Sequence, residues 1–166
     1  ASSDAATAIE NLRKAESLSR SNPPIHALAQ ARLAMQLHRL GRDAEAGVQW
    51  RESLDYYARH AAEHPDRAIV LGQYGKMLTA IGQTAQAARV LEQADRLATA
   101  QFPAGHWRLA QISAALGENL VAQGQGAQGL VRMQQAHADL RTALGQAHPE
   151  SVRSLARLTR AQQSQP

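Results

Sequence analysis

The chain has 166 residues, 18 basic against 14 acidic, a formal charge of +4 and no cysteine. Its length suits one domain or one short array, and the missing cysteine excludes a disulfide framework and any thiolate metal site. The basic residues are scattered and almost all arginine, with Lys14 and Lys76 the two lysines, so there is no nucleic-acid-binding arm; no apolar run approaches the roughly 20 residues that span a bilayer.

Ala and Leu dominate the apolar set and only six residues are aromatic, which favours close-packed helices over a sheet core. Residues 4–21 read as a first, lone helix with Ala8, Leu12 and Ala15 on one face and Asp4 as N-cap, ended by Asn22-Pro23-Pro24. Ile25 to Leu40 read as a second helix with the stripe Leu33, Leu37 and Leu40, and Gly41 stops it. Asp43 opens a third, whose inner face is Ala46, Trp50, Ser53 and Tyr57. A second pair follows His64-Pro65: Leu71, Tyr74, Leu78 and Ile81 before Gly82, then Ala87, Leu91, Ala94 and Ala98 after Thr84. The third pair carries Leu109, Ser113, Leu116 and Leu120 before Gly124, then Gly129, Met133, Ala136 and Leu140 before Gly145. Gly126 and Gly129 weaken the start of that last helix, since glycine costs about 1 kcal/mol against alanine. A terminal helix after His148-Pro149 offers Val152, Leu155 and Leu158, and the Gln/Ser-rich end from Gln162 to Pro166 frays.

A fixed ruler underlies this order. Asn22, His64, His106 and His148 stand 42 residues apart, and such a period signals a repeat architecture. Around Gly41, Gly82 and Gly124 the same residue classes recur: small at Ala34, Gly75 and Gly117, small at Ala46, Ala87 and Gly129, large at Trp50, Leu91 and Met133, small at Ser53, Ala94 and Ala136. Small residues let two helices cross closely, a large one fills the gap, and each pair stacks on the next.

This pattern resembles the tetratricopeptide repeat (TPR). The 42-residue period is similar to its longer, kinesin-light-chain form, whose loop signature His64-Pro65-Asp66 and His148-Pro149-Glu150 echo. Leu91 and Met133 stand where the family usually has an aromatic, and Trp107 where it has a loop proline. The resemblance implies an all-α, right-handed α-solenoid of about eight helices in antiparallel pairs: a lone helix 4–21, repeats 24–61, 65–101 and 106–145, and a terminal helix 149–161. An array that opens on a second helix and closes on a first reads as a piece of a longer chain. The stretch from Phe102 to Arg108 looks most like repeats attached to bacterial serine/threonine kinases. That likeness implies a signalling protein in the bacterial cytoplasm, or in the periplasm if the repeats follow a transmembrane segment.

The resemblance also implies a concave face lined by the first helix of each pair. The residues placed there are Arg32, Met35, His38 and Arg39; Gln73, Lys76 and Thr79; Glu118; and Arg153 and Arg160. The small column Ala31, Gly72, Ala114 and Ala156 reads as helix packing or, more sharply, as room for an extended peptide. Arginines and a lysine along the face favour an acidic protein or peptide partner, against the plain alternative of a solvated charged face. No cofactor is implied, and no acid, base and nucleophile converge, so the segment itself reads as non-catalytic. His60-Ala61-Ala62-Glu63-His64 matches an inverted zincin motif, but Pro65 ends the helix and no third ligand stands out, so His60 and His64 are at most a weak metal pair. The loop histidines read as ties to a neighbouring helix, and His26, His38 and His137 as packing or surface groups. A small-ligand or metal sensor and self-association through the end helices into a homodimer stand as alternative readings.

Overall fold

The computed structural model describes residues 2–164, with side chains from residue 6 onward. Among these it is all-α, with eight helices and no strand: α1 Ser2–Leu18, α2 Pro23–Arg39, α3 Asp43–His60, α4 Pro65–Ala80, α5 Thr84–Gln101, α6 Trp107–Ala122, α7 Gly126–Leu144 and α8 Pro149–Gln163. The helix boundaries fall within a few residues of those expected from the sequence. Because α1 already begins at Ser2, Asp4 lies in its first turn and is not the N-cap expected from the sequence; Gln165 and Pro166 lie outside what is described. The chain forms two compact units, Ala1–Tyr74 and Gly75–Pro166, divided inside α4.

Helix ends within each pair are set by one device used three times. Gly41, Gly82 and Gly124 have φ of 73°, 79° and 82°, a left-handed conformation that costs glycine nothing and other residues a Cβ clash. Around each, two backbone bonds close a Schellman turn. Arg42 N–H donates to Leu37 O and Gly41 N–H to His38 O; Gln83 and Gly82 do the same to Leu78 and Thr79, and Gln125 and Gly124 to Leu120 and Val121.

The starts of α4, α6 and α8 share a second device. His64, His106 and His148 sit at the N-cap, and Nδ1 of each accepts from the backbone N–H two residues on, Asp66, Arg108 and Glu150, at 3.2 Å every time. Histidine here does the work usually done by Ser or Asp. The bond requires a neutral ring with its proton on Nε2. The expectation that these histidines tie the loop to a neighbouring helix is thus met only in part, because each first caps the helix that follows it. His64 also stacks on Tyr57 of α3, with ring centroids 5.8 Å apart, and His106 lies between Phe102 and Trp107, at 4.5 and 5.9 Å.

In the first unit α2 packs on both α1 and α3. Trp50 and Tyr57 are each 1% exposed, beside fully buried Ala46 and Ser53, and the Ser53 hydroxyl donates to Ala27 O at 2.7 Å, joining α3 to α2. Burial pushes the Tyr57 phenol up to about 12, helped by the charge of Asp66. In the second unit the α6–α7 crossing is tightest. A Cβ on Gly129 would lie 2.6 Å from Gly117 O and 2.9 Å from Val121 N, and one on Gly117 would lie 2.7 Å from Met133 Cγ. Gly129 and Gly126 are therefore buried parts of α7 rather than a loose start; the propensity cost is real but the contact decides. A Cβ on Gly75 would meet the Leu91 side chain at 2.5 Å, the same small–large exchange between α4 and α5.

Three expected stripes shift. On α1 Ile9 is buried while Ala15 is exposed, and Ser19, just past its end, is buried too. On α2 Leu40 is exposed, since it already belongs to the turn. On α8 Val152 and Leu155 are 55% and 50% exposed, while Leu158 is buried as expected and Ser151 and Ser154 take the other two places. Close approach selects the serines, which also satisfy their own hydroxyls: Ser151 donates to Leu140 O and Ser154 to Ser151 O. In α6 the core side is Ala110, Ala114, Ala115 and Gly117 with Ile112, Leu116 and Asn119, while Leu109, Ser113 and Leu120 are half-buried.

Replacing Gly129 by Ala forces a methyl against backbone atoms and is expected to destabilise the chain by about 2 kcal/mol. Gly47→Ala meets only the end of the Arg51 side chain, at 3.2 Å, and is expected to be neutral or to stabilise by up to about 1 kcal/mol. Urea unfolding of the two variants checks the contrast. His148→Ala removes a cap and is expected to cost about 1 kcal/mol, with His148→Asn recovering most of it.

Candidate functional site

The charged side chains that the second unit gathers come from α4, α6 and α8. Lys76 of α4 is half-buried and feels the charges of Arg157, Glu118, Glu150 and Arg153. Burial lowers its pKa, Arg157 lowers it further, and the two carboxylates recover only part of the shift. Arg157 Nε lies 3.0 Å from Glu118 Oε1, yet its N–H is not aimed at that oxygen, so both atoms are buried without a hydrogen bond. Glu150 is partly buried, which by itself raises its pKa. Hydrogen bonds from Gln111 and Arg153, with the charges of Arg153 and Arg157, outweigh burial and hold it below the usual carboxylate range.

Beside this cluster a cavity of about 310 Å³ opens to solvent, lined by Glu118 and Val121 of α6, Met133 of α7, and Arg157, Arg160 and Ala161 of α8. The cluster and its rim thus hold four cations, Lys76, Arg153, Arg157 and Arg160, against two carboxylates, Glu118 and Glu150. The ion pairs present do not absorb that surplus. Arg153 reaches Glu150 at 3.0 Å through Nε, and Arg160 makes no ion pair among the described residues, with a long contact to Ala156 O at 3.4 Å. A cationic surplus, half-buried at Lys76 and Arg157 and exposed at Arg153 and Arg160, beside an apolar floor suits a ligand that brings carboxylates and an apolar group together.

The residues expected on the concave face are distributed as follows. Lys76 and Glu118 meet in this cluster, Arg153 is near Lys76, and Arg160 lines the cavity. Thr79 is engaged in packing: its hydroxyl bonds Gly75 O and Asn119 Oδ1, while Asn119 Nδ2 donates to Thr84 O, which ties α4, α5 and α6 together. In the first unit Arg32 and Arg39 are exposed, and Met35 and Gln73 are half-buried. His38 is tied to the start of α3 by Nδ1 at 2.6 Å from Asp43 Oδ1. Of the small column, Ala31, Gly72 and Ala114 are buried and Ala156 is exposed, so three of the four act in helix packing.

Arg157, Glu150 and Gln111 had gone unassigned. Arg157 was findable, because 153, 157 and 160 share one helical face. The possible metal pair is separated by a helix end. His60 closes α3 with its ring against Tyr56, and His64 caps α4. Among the described residues no group of three or more His, Cys, Asp or Glu stands ready for a metal ion. His137 Nδ1 lies 2.6 Å from Ser154 Oγ. Because that hydroxyl already donates to Ser151 O, the imidazole is the donor; burial, then Arg141, lowers its pKa.

No family model matches the chain, and no curated protein matches it. Solved structures do. A Podosopora anserina protein with nearly identical TPR-like repeats, described as of kinesin-light-chain type, superimposes with a TM-score of 0.71 at 22% identity, covering 98% of this chain and 79% of that one. A single-residue variant of it gives 0.73 over the same spans. The fold is therefore that of a TPR-like helical repeat, an all-α solenoid type. No helix is long and apolar enough to cross a membrane among the described residues.

Burying a charged lysine costs stability, so Lys76→Met is expected to stabilise the chain at neutral pH by about 1 kcal/mol. The sign follows from a folded-state pKa below the unfolded one. The penalty is fully present below the folded value and is relieved as pH rises toward lysine's ordinary range. Thermal melts at stepped pH are expected to show the variant's advantage shrinking on the alkaline side.

Proposed function

We propose that the chain is a non-catalytic protein–protein interaction module that captures an acidic peptide or helix on the face built from α4, α6 and α8. The observation that carries this reading is the surplus of Lys76, Arg153, Arg157 and Arg160 over Glu118 and Glu150, the first and third half-buried and the other two exposed, beside an open, apolar-floored cavity. A structure evolved only for stability gains little from desolvating like charges; a partner's carboxylates supply the missing counter-charge. Helix or peptide capture of this kind uses a groove and a few anchors. Thr79 of α4 and, in the first unit, Arg32, Met35, His38, Arg39 and Gln73 are further proposed partner contacts. The stretch from Phe102 to Arg108 supports placing the module in a bacterial signalling protein such as a serine/threonine kinase.

Fluorescence anisotropy with a panel of labelled peptides, acidic and basic and each with one apolar anchor, tests the reading. Acidic members are expected to bind, to weaken with added salt, and to lose roughly tenfold or more in affinity to Arg157→Glu with Arg160→Glu. Equal binding of acidic and basic peptides, or an unchanged affinity in the folded double variant, removes the assignment. A concentration-dependent dimer that buries the exposed Val152 and Leu155 would favour self-association instead.

A further inference from the structure

Lys76 differs from the other charged side chains around it. It is half-buried, yet its ammonium makes no hydrogen bond and no ion pair among the described residues. An ammonium carries three donors and a full charge, so half-burial without a partner disfavours it. The helices hold it there. Thr79 Oγ1 bonds Asn119 Oδ1 at 3.1 Å, which fixes α4 against α6 one turn beyond Lys76. Arg157 of α8 lies 3.0 Å from Glu118, the chain neighbour of Asn119.

The charges that reach the amine are Arg157, Glu118, Glu150 and Arg153. Both carboxylates already face arginines: Glu118 lies beside Arg157, and Glu150 accepts from Arg153. With Arg160 on the rim, four cations, Lys76, Arg153, Arg157 and Arg160, stand against two anions, Glu118 and Glu150. Neutralising the lysine leaves three cations against two anions; converting it to an anion gives three against three.

One reaction makes that conversion at the nitrogen without a catalyst. The lone pair of the unprotonated amine attacks the carbon of CO₂. A C–N bond forms, one C=O electron pair moves onto oxygen, and the nitrogen gives up one proton to water. The product is a carbamate, which carries a carboxylate where the ammonium stood. Burial, then the charge of Arg157, lowers the pKa of Lys76, which raises the share of neutral amine. Arginine binds a carboxylate through paired N–H donors, and Arg160 has no ion pair to give up. Acetylation, by contrast, removes the lysine charge without inverting it and leaves the cations in excess.

We propose that Lys76 is a carbamate-forming site, an amine that takes up CO₂ reversibly and holds it among Arg153, Arg157 and Arg160. The modification removes the cationic surplus, so CO₂ weakens the hold of this face on an acidic partner. That consequence rests on the acidic-partner reading; the modification itself does not.

Lys14, the other lysine of the chain, is exposed and serves as the internal control. The whole 166-residue chain is equilibrated with ¹³C-bicarbonate at about pH 8.5, where more amine is unprotonated than at neutral pH. Carbamates are then trapped as ethyl esters with a triethyloxonium salt and located by peptide mass mapping. Trapped label at Lys76 is expected to exceed that at Lys14 by about tenfold, and to fall by about that factor in Arg157→Gln with Arg160→Gln, whose folding is checked by circular dichroism. Equal labelling of the two lysines overturns the proposal. So does unchanged labelling of Lys76 in the folded double variant. Acidic-peptide affinity with and without CO₂, at one pH and ionic strength, is expected to weaken in the wild type and not in Lys76→Arg. Label at Lys76 in a chain that binds no acidic peptide removes the partner reading and supports the modification site.

Discussion

The approach of Gly129 to Gly117, so close that an added methyl would sit 2.6 Å from a carbonyl oxygen, is the constraint from which the second unit follows. It brings α6 and α7 near enough for Met133 to fill the space beside them. It also leaves Asn119, two residues from Gly117, buried and obliged to find partners in Thr79 and Thr84. The other crossings solve the same problem with different residues: Gly75 against Leu91, and Ala46 and Ser53 around Trp50. Packing prevails over hydrogen bonding at the last of these, since the buried Trp50 Nε1 makes no bond. A large filler between close helices gains more from contact than one indole N–H loses.

Helix ends obey equally local rules. A Schellman turn needs one residue with positive φ, and glycine supplies it at each tight turn. The cap at the next boundary needs one acceptor at a fixed distance, and a neutral imidazole supplies it three times. Alternating these two devices places the first helix of each pair in the same register relative to its loop. Lys76, Glu118 and Arg160 occupy that same register at 42-residue intervals. Repetition of local geometry therefore aligns residues far apart in sequence.

That alignment produces the charged cluster, and its energetics oppose its stability. Lys76 is half-buried beside cations, and the Arg157–Glu118 pair is close but misaligned. In a low-dielectric setting such a pair recovers little of its desolvation cost. Residues retained against stability are where a binding surface is expected, which is the physical content of the functional reading.

Periodicity and residue size in the sequence determined the helix number, the glycine stops, the small–large pattern and the burial of Trp50, Tyr57, Leu91 and Met133. These depend on contacts between neighbours separated by a fixed count, so the period reports them directly. Lys76, Glu118, Arg153 and Arg160 were also legible, through the position a resemblance gave them. Only the tertiary structure decided that Ser151 and Ser154, rather than Val152 and Leu155, face the core, because hydrophobicity ranks residues by transfer from water and a close crossing ranks them by size. It alone decided that Arg157 and Glu150 join the cluster, and that the Gln49 Oε1 oxygen is buried without a partner. Those outcomes depend on which side chains share a few ångströms of space after helices distant in sequence have met.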